Sequence, residues 1–219
     1  MKAWEGGKSV PDEITLYPVE IEFVGLFDAV MGGVEWLQMF NPIRFPNQKL
    51  SQNVRHAVHI LSIDENRYFF KPKAWSEKKT KKGGIFKQIW LPGVHSDVGG
   101  TGNTVWGRAA LLTMAYYIEK HTDLCLDRKW IQKKERNLRD SLHGGMMYID
   151  THKFVVPHRR GPVGTNDSKE LYHPIIDIIS SVTYNGRIEW AWKKNIFEEK
   201  FAALETDKQL SSYFKRILK

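Results

Sequence analysis

Asp28 and His95 are the residues of this sequence best placed for acid–base chemistry. Asp28 directly follows the run 19–27, which opens as apolar/polar alternation and ends wholly apolar. A strand that enters from an edge and ends buried on both faces reads this way. His95 stands in Pro92-Gly93-Val94-His95-Ser96-Asp97-Val98-Gly99-Gly100, directly after the apolar run 85–91. A hydrolytic triad needs a carboxylate that orients an imidazole and a histidine that shuttles the nucleophile's proton. An aspartate after a strand also serves as a helix N-cap or turn former, and a loop histidine often bonds only backbone. The glycines flanking His95 allow close backbone approach, which favours the chemical reading. Asp97 is expected to accept hydrogen bonds from loop amides and position His95, with Gly93, Ser96, Gly99 and Gly100 as supporting residues.

Other constellations carry less. Gly6-Gly7-Lys8-Ser9 mimics the end of a P-loop, but Lys2 stands where its first glycine should, and no strand precedes it. His56 and His59 with Asp64 have the spacing of a helical metal site, yet both histidines fall on a polar face. His95 with Asp97 is a second arrangement open to a metal. Asp64-Glu65 with Arg67 reads as a structural ion pair before it reads as an acid–base pair. The aromatic clusters 36–40 and 190–192 read as core or lid packing. No metal and no cofactor is expected.

The elements that must position Asp28 and His95 follow from periodicity. Residues 19–27 and 85–91 are expected as strands, and 104–121 as a helix capped by Asn103 or Thr104. Strand, glycine-rich turn and helix in succession indicate an α/β sheet with function at the carboxyl ends of the strands. Residues 48–62 are expected as an amphipathic helix, because Leu50, Val54, Ala57, Val58 and Leu61 share a stripe at 3.6-residue spacing. Residues 29–40 read as a loop with a short helical turn, and 128–142 as a charged helix. Further on, 146–156 reads as extended chain and 172–183 with 186–192 as a hairpin about Tyr184-Asn185-Gly186. Residues 197–218 are expected as a polar helix, and 159–167 is the most linker-like stretch.

The 219 residues suffice for one large domain or two small ones, and 42% hydrophobic with 26% charged residues excludes a disordered tail or fibrous repeat. The longest apolar runs, such as 174–182, are broken by Asp177 and Ser180, so no transmembrane segment is expected. The start, 1–7, lacks the apolar core of a Sec signal peptide, which leaves the cytoplasm or export by a dedicated secretion system. Cys125 is the sole cysteine, which excludes an internal disulfide. The formal charge of +8 comes from basic residues in 71–82, 128–139 and the C-terminal end. These read as solvated loops and helix faces, and no nucleic-acid-binding motif accompanies them, so no specific nucleic acid is expected.

Three segments resemble a known family. Phe23-Val24-Gly25-Leu26-Phe27-Asp28-Ala29-Val30 is similar to its F-[IVL]-G-[VL]-[WF]-D-T-V segment, with Ala29 in place of threonine. His56-Ala57, then Ile63-Asp64-Glu65-Asn66-Arg67 and Phe69, resemble its H-A and D-E-x-R helix and turn. Residues 88–100, from Gln88 through His95 to Gly100, match its most characteristic block almost residue for residue. The family is the α/β-hydrolase domain family that includes the catalytic domains of type VI secretion phospholipase effectors (class one lipase effector-like). The resemblance spans 19–120. It implies an esterase or phospholipase acting on a lipid or ester substrate, with Asp28 as the triad acid, His95 as the general base and no cofactor. In such hydrolases the chain order is serine, acid, histidine. The family's serine lies upstream in a Gly-Phe-Ser-Arg-Gly-Ala elbow, and this sequence has no Gly-x-Ser-x-Gly.

The expectation is therefore the C-terminal portion of an α/β-hydrolase sheet with flanking helices and a less regular C-terminal extension. Residues 1–18 would be a linker, 19–125 the acid and histidine half of the catalytic domain, and 126–219 the extension of that domain. A missing N-terminal half or partner chain would supply the nucleophile, and the chain alone would be inactive. The alternative is a non-catalytic remnant or binding module on the same scaffold.

Overall fold

The β-branched Ile21 and Val24 and the aromatic Phe23 and Phe27 favour the first strand, β1 (Ile21–Phe27), and two more apolar segments build β2 (Val54–Ser62) and β3 (Phe86–Leu91). The computed structural model describes residues 17, 19–30, 50–65, 67, 70–75, 83–100, 104–143, 170–181, 201 and 203–219. Two short strands, β4 (Glu170–Tyr172) and β5 (Glu205–Thr206), complete a parallel sheet of order β1-β2-β3-β4-β5. The fold is α/β, as the strand–turn–helix pattern indicates. The sheet runs on into the C-terminal third, where sequence alone suggests a less regular extension.

Register sorts the side chains between the two faces. Val58, Ile60, Ile89 and Leu91 face one layer of helices: α1 (His95–Val98), α2 (Val105–His121), α3 (Arg128–His143), α4 (Ile175–Ser181) and α5 (Lys208–Ile217). Ala57, Leu61 and Trp90 face the other side, among Leu50, Ala74, Trp75 and Phe201. The helix α2 is rich in Ala and Leu, starts where the Thr104 hydroxyl accepts the Gly107 N–H at 3.0 Å, and packs on β1 and β2. Gly25 lets it come close, since a Cβ there would lie 2.6 Å from the Met114 sulfur. Asp207 joins the C-terminal part to the sheet. It accepts Lys87 Nζ and the Tyr117 hydroxyl, each at 2.8 Å, and caps α5 through the Gln209 and Leu210 N–H groups. Burial works to raise this carboxyl, but those donors outweigh it and hold it down to about 2.

Three expected elements differ. Residues 54–62 form a strand, not part of a helix. A central parallel strand is apolar on both faces, so aliphatic residues within it mimic a helical stripe. His56 and His59 are therefore buried, not on a solvated face. The expected strand 172–183 ends at Tyr172 and turns into α4. Pro174 suits a helix start, and His173 accepts the Ile175 N–H through Nδ1 at 3.1 Å. The expected helix 197–218 is interrupted by β5, and α5 starts at Lys208, where Asp207 caps it. The segments 31–49, 144–169 and 182–200, with their loop, extended-chain, linker, hairpin and aromatic readings, lie outside the described residues.

Candidate active site

The chain leaves three parallel strands at one edge of the sheet: at Asp28 after β1, at Ser62 closing β2, and before His95 after β3. Asp28 is fully buried and holds φ at 45°, an uncommon backbone state for a residue other than glycine. Its N–H donates to Ile60 O at 2.7 Å. Its carboxylate collects the donors of two elements. Oδ1 accepts the Ser62 N–H and Oδ2 the Ser62 hydroxyl, both at 2.9 Å. Oδ2 also lies 2.9 Å from His95 Nδ1. The His95 side chain is 30% exposed while that of Asp28 is sealed, so solvent reaches the imidazole and not the carboxylate. A buried carboxylate with several hydrogen-bond donors is fixed in place, which is what orienting an imidazole requires.

The loop carrying His95 is held from both ends. Asp64 N donates to Gly93 O at 3.0 Å and Asp64 Oδ2 accepts the Gly93 N–H at 2.7 Å. Asp97 Oδ2 accepts the Val94 N–H at 2.9 Å, the amide contact expected of it. Gly99 N–H donates to His95 O at 2.9 Å and Gly100 N–H to Asp97 O at 3.0 Å, closing the short turn α1. Ser96 lies on α1, half-buried. Gly93 takes φ at 110°, and a Cβ there would stand 3.0 Å from the Cβ atoms of both Asp97 and Trp106. Gly93→Ala is thus expected to cost about 2–4 kcal/mol from combined backbone strain and overpacking. Urea denaturation checks it, and an unchanged midpoint would show that the loop yields freely.

The sequence does not signal the part that two further residues play in this network. Ser62 ends an apolar run that reads as helical; read as a strand, the same run puts Ser62 at the carboxyl edge beside Asp28. His59 Nε2 accepts the Ala29 N–H at 3.0 Å, holding the backbone that follows Asp28. The residues weighed for a metal are engaged elsewhere or divided between the faces of the sheet. His56 and His59, three apart on a strand, point to opposite faces of the sheet, and His95 Nδ1 is turned to Asp28 while Asp97 is turned to Val94. Among the described residues, no cluster of three or more His, Cys, Asp or Glu is arranged to hold a metal ion. No helix among them is long and apolar enough to cross a membrane.

No curated protein and no solved structure matches the chain. A family model does match, over residues 6–120, just over half of the 219 residues, running from before β1 to the last turn of α2 and including Asp28 and His95. The family is described as T6SS, Phospholipase effector Tle1-like, catalytic domain, and this chain belongs to it.

Proposed function

We propose that the chain carries the acid and the base of a serine esterase or phospholipase triad, Asp28 and His95. The observation that supports this best is the 2.9 Å contact between His95 Nδ1 and a fully buried Asp28 carboxylate. With Nδ1 engaged, Nε2 takes the proton of the serine hydroxyl as its oxygen attacks the ester carbonyl. The imidazolium, stabilised by Asp28, returns that proton to the leaving alcohol as the tetrahedral intermediate collapses to an acyl-enzyme. Water then attacks the acyl-enzyme with His95 as base, which releases the fatty acid and restores the serine.

The nucleophile belongs outside residues 1–219. The sequence has no Gly-x-Ser-x-Gly, and Ser62 is fully buried with its hydroxyl committed to Asp28. We place the nucleophile on a strand that pairs with the outer edge of β1, contributed by preceding chain or by a partner. Among the described residues no strand pairs with that edge, and Ile21 and Phe27 stay 38% and 36% exposed. Parallel sheets are ordinarily covered on both faces, and β1 holds no proline or lysine to discourage pairing.

The 219-residue chain is expected to show no turnover of short-chain p-nitrophenyl esters. Co-expression with a strand segment bearing a Gly-x-Ser-x-Gly elbow is expected to restore it, and His95→Ala to reduce the restored rate by about 10³-fold or more. Turnover by the chain alone that resists a serine-directed inhibitor, yet is lost in His95→Ala, would overturn the serine mechanism. A monodisperse, cooperatively unfolding monomer that gains no activity from any such segment would favour the non-catalytic binding module.

A further inference from the structure

We infer that Glu65, Arg67 and Phe70 form a clamp that fixes His95, backbone and ring together, and are positioning residues for the base. The three lie on one short stretch after β2, and the clamp is built within it. Arg67 grips Glu65 with both ends of its fork, Nε to Oε1 at 2.8 Å and Nη2 to Oε2 at 2.7 Å. The Arg67 N–H also donates to Oε1 at 2.8 Å. The Phe70 N–H donates to Arg67 O at 3.0 Å, and the guanidinium lies 3.6 Å from the centre of the Phe70 ring.

This unit reaches His95 at two points. Glu65 Oε2 accepts the His95 N–H at 3.2 Å, and the Phe70 ring packs edge-on against the imidazole with centroids 5.0 Å apart. Asp28 meets the same imidazole at Nδ1. An imidazole bound only through Nδ1 can still swing about that bond; an anchored main chain and an aromatic wall remove the swing. A plain surface ion pair would not need its carboxylate inside the fold, yet Glu65 is 3% exposed. Burial works to raise the Glu65 carboxyl, but the Arg67 bonds outweigh it and hold it below the usual carboxylate range. It thus stays an ionised acceptor for the His95 amide at neutral pH.

The consequence for turnover rests on the proposed role of His95, but the orientation itself can be read without turnover. The experiment records long-range ¹H–¹⁵N NMR spectra of the 219-residue chain labelled at histidine. The parent is expected to show His95 as a single tautomer with its proton on Nδ1, in a downfield signal that Asp28 protects from solvent. Arg67→Ala is expected to lose that signal and mix the tautomers, and Arg67→Lys to do so in part, because an ammonium keeps the charge but not the fork. Phe70→Leu, which leaves the Glu65–Arg67 pair in place and spares the fold if Arg67→Ala does not, is expected to broaden or lose the signal too. In the form supplied with a nucleophile, the same variants should lower kcat by about 10–100-fold with KM unchanged. An unaltered His95 signal in Arg67→Lys and Phe70→Leu would overturn the clamp, whether or not their melting points fall. Altered signals without ester hydrolysis in any form would leave the clamp standing and remove the hydrolase reading alone.

Discussion

Asp28→Ala is expected to destabilise the chain by about 2–4 kcal/mol. It strips the acceptor from the Ser62 amide, the Ser62 hydroxyl and the His95 imidazole at once, and the first two are buried. It also places alanine at φ 45°, a left-handed state that alanine disfavours and that Asp and Asn tolerate better. Asp28→Asn separates the two effects. It keeps the volume and the backbone state but has one acceptor oxygen where the carboxylate has two. Its cost in stability should be about 1 kcal/mol. In the form supplied with a nucleophile, its cost in ester hydrolysis should be about 10³–10⁴-fold, because a neutral amide neither holds the tautomer nor stabilises the imidazolium. Urea denaturation and initial rates on the two variants check this. Equal losses of stability, or a fully active Asp28→Asn, would show that Asp28 serves the fold and not the imidazole.

Acid should weaken the fold well before the carboxylates titrate, and His173 should account for about one proton of the effect. His173 is completely buried after β4. Its Nδ1 accepts the Ile175 N–H, and its Nε2 lies 2.7 Å from the Thr113 hydroxyl, which donates to Ala109 O. That arrangement needs the neutral ring, and burial pushes its pKa down to about 3 from an ordinary 6.5. The sign follows from linkage. Below pH 6.5 the unfolded chain takes up a proton that the folded chain refuses. The stabilisation is therefore complete above pH 6.5 and lost progressively as pH falls towards 3, at about 1.4 kcal/mol per pH unit. Burial also lowers His56 and His121, so the parent's slope exceeds one proton. Asp207, held down to about 2, contributes only at far lower pH. Denaturation midpoints at pH 7, 6 and 5 should fall steeply in the parent and less steeply, by about one proton, in His173→Gln. Equal slopes would show that the buried ring finds a way to be charged.

How much is legible in the sequence differs from residue to residue. Asp28 and His95 stand out because each follows an apolar run that breaks at a polar turn, and such breaks mark the ends of buried strands in parallel sheets. The glycines about His95 indicate a tight turn, and Gly93 has the positive φ that such a turn needs. The helix α2 is legible to within a residue of its cap, Asn103 or Thr104 by sequence and Thr104 in the structure, since helix formers and N-cap residues are local signals. By contrast β2 reads as a helix, and with it His56 and His59 read as solvated. Nothing local shows that His56 Nδ1 accepts the Ile85 N–H, or that His59 accepts that of Ala29. Each bond joins residues 29 or 30 apart in the chain and exists only through strand pairing.

By itself the sequence determined the α/β class, the strands before Asp28 and His95, and the helix that follows the His95 turn. These depend on periodicity, turn residues and caps, which act over a few neighbouring residues. Only the tertiary structure decided that Asp28, Ser62 and His95 meet at one edge, that Glu65 turns inward to the His95 amide, and that β4 and β5 extend the same sheet. Those outcomes depend on the parallel register of β1, β2 and β3. In that register Phe27 lies beside Ile60, and Ser62 beside Leu91, so the polar residues beyond these strand ends converge. Register is a property of paired strands, and no single stretch of sequence contains it.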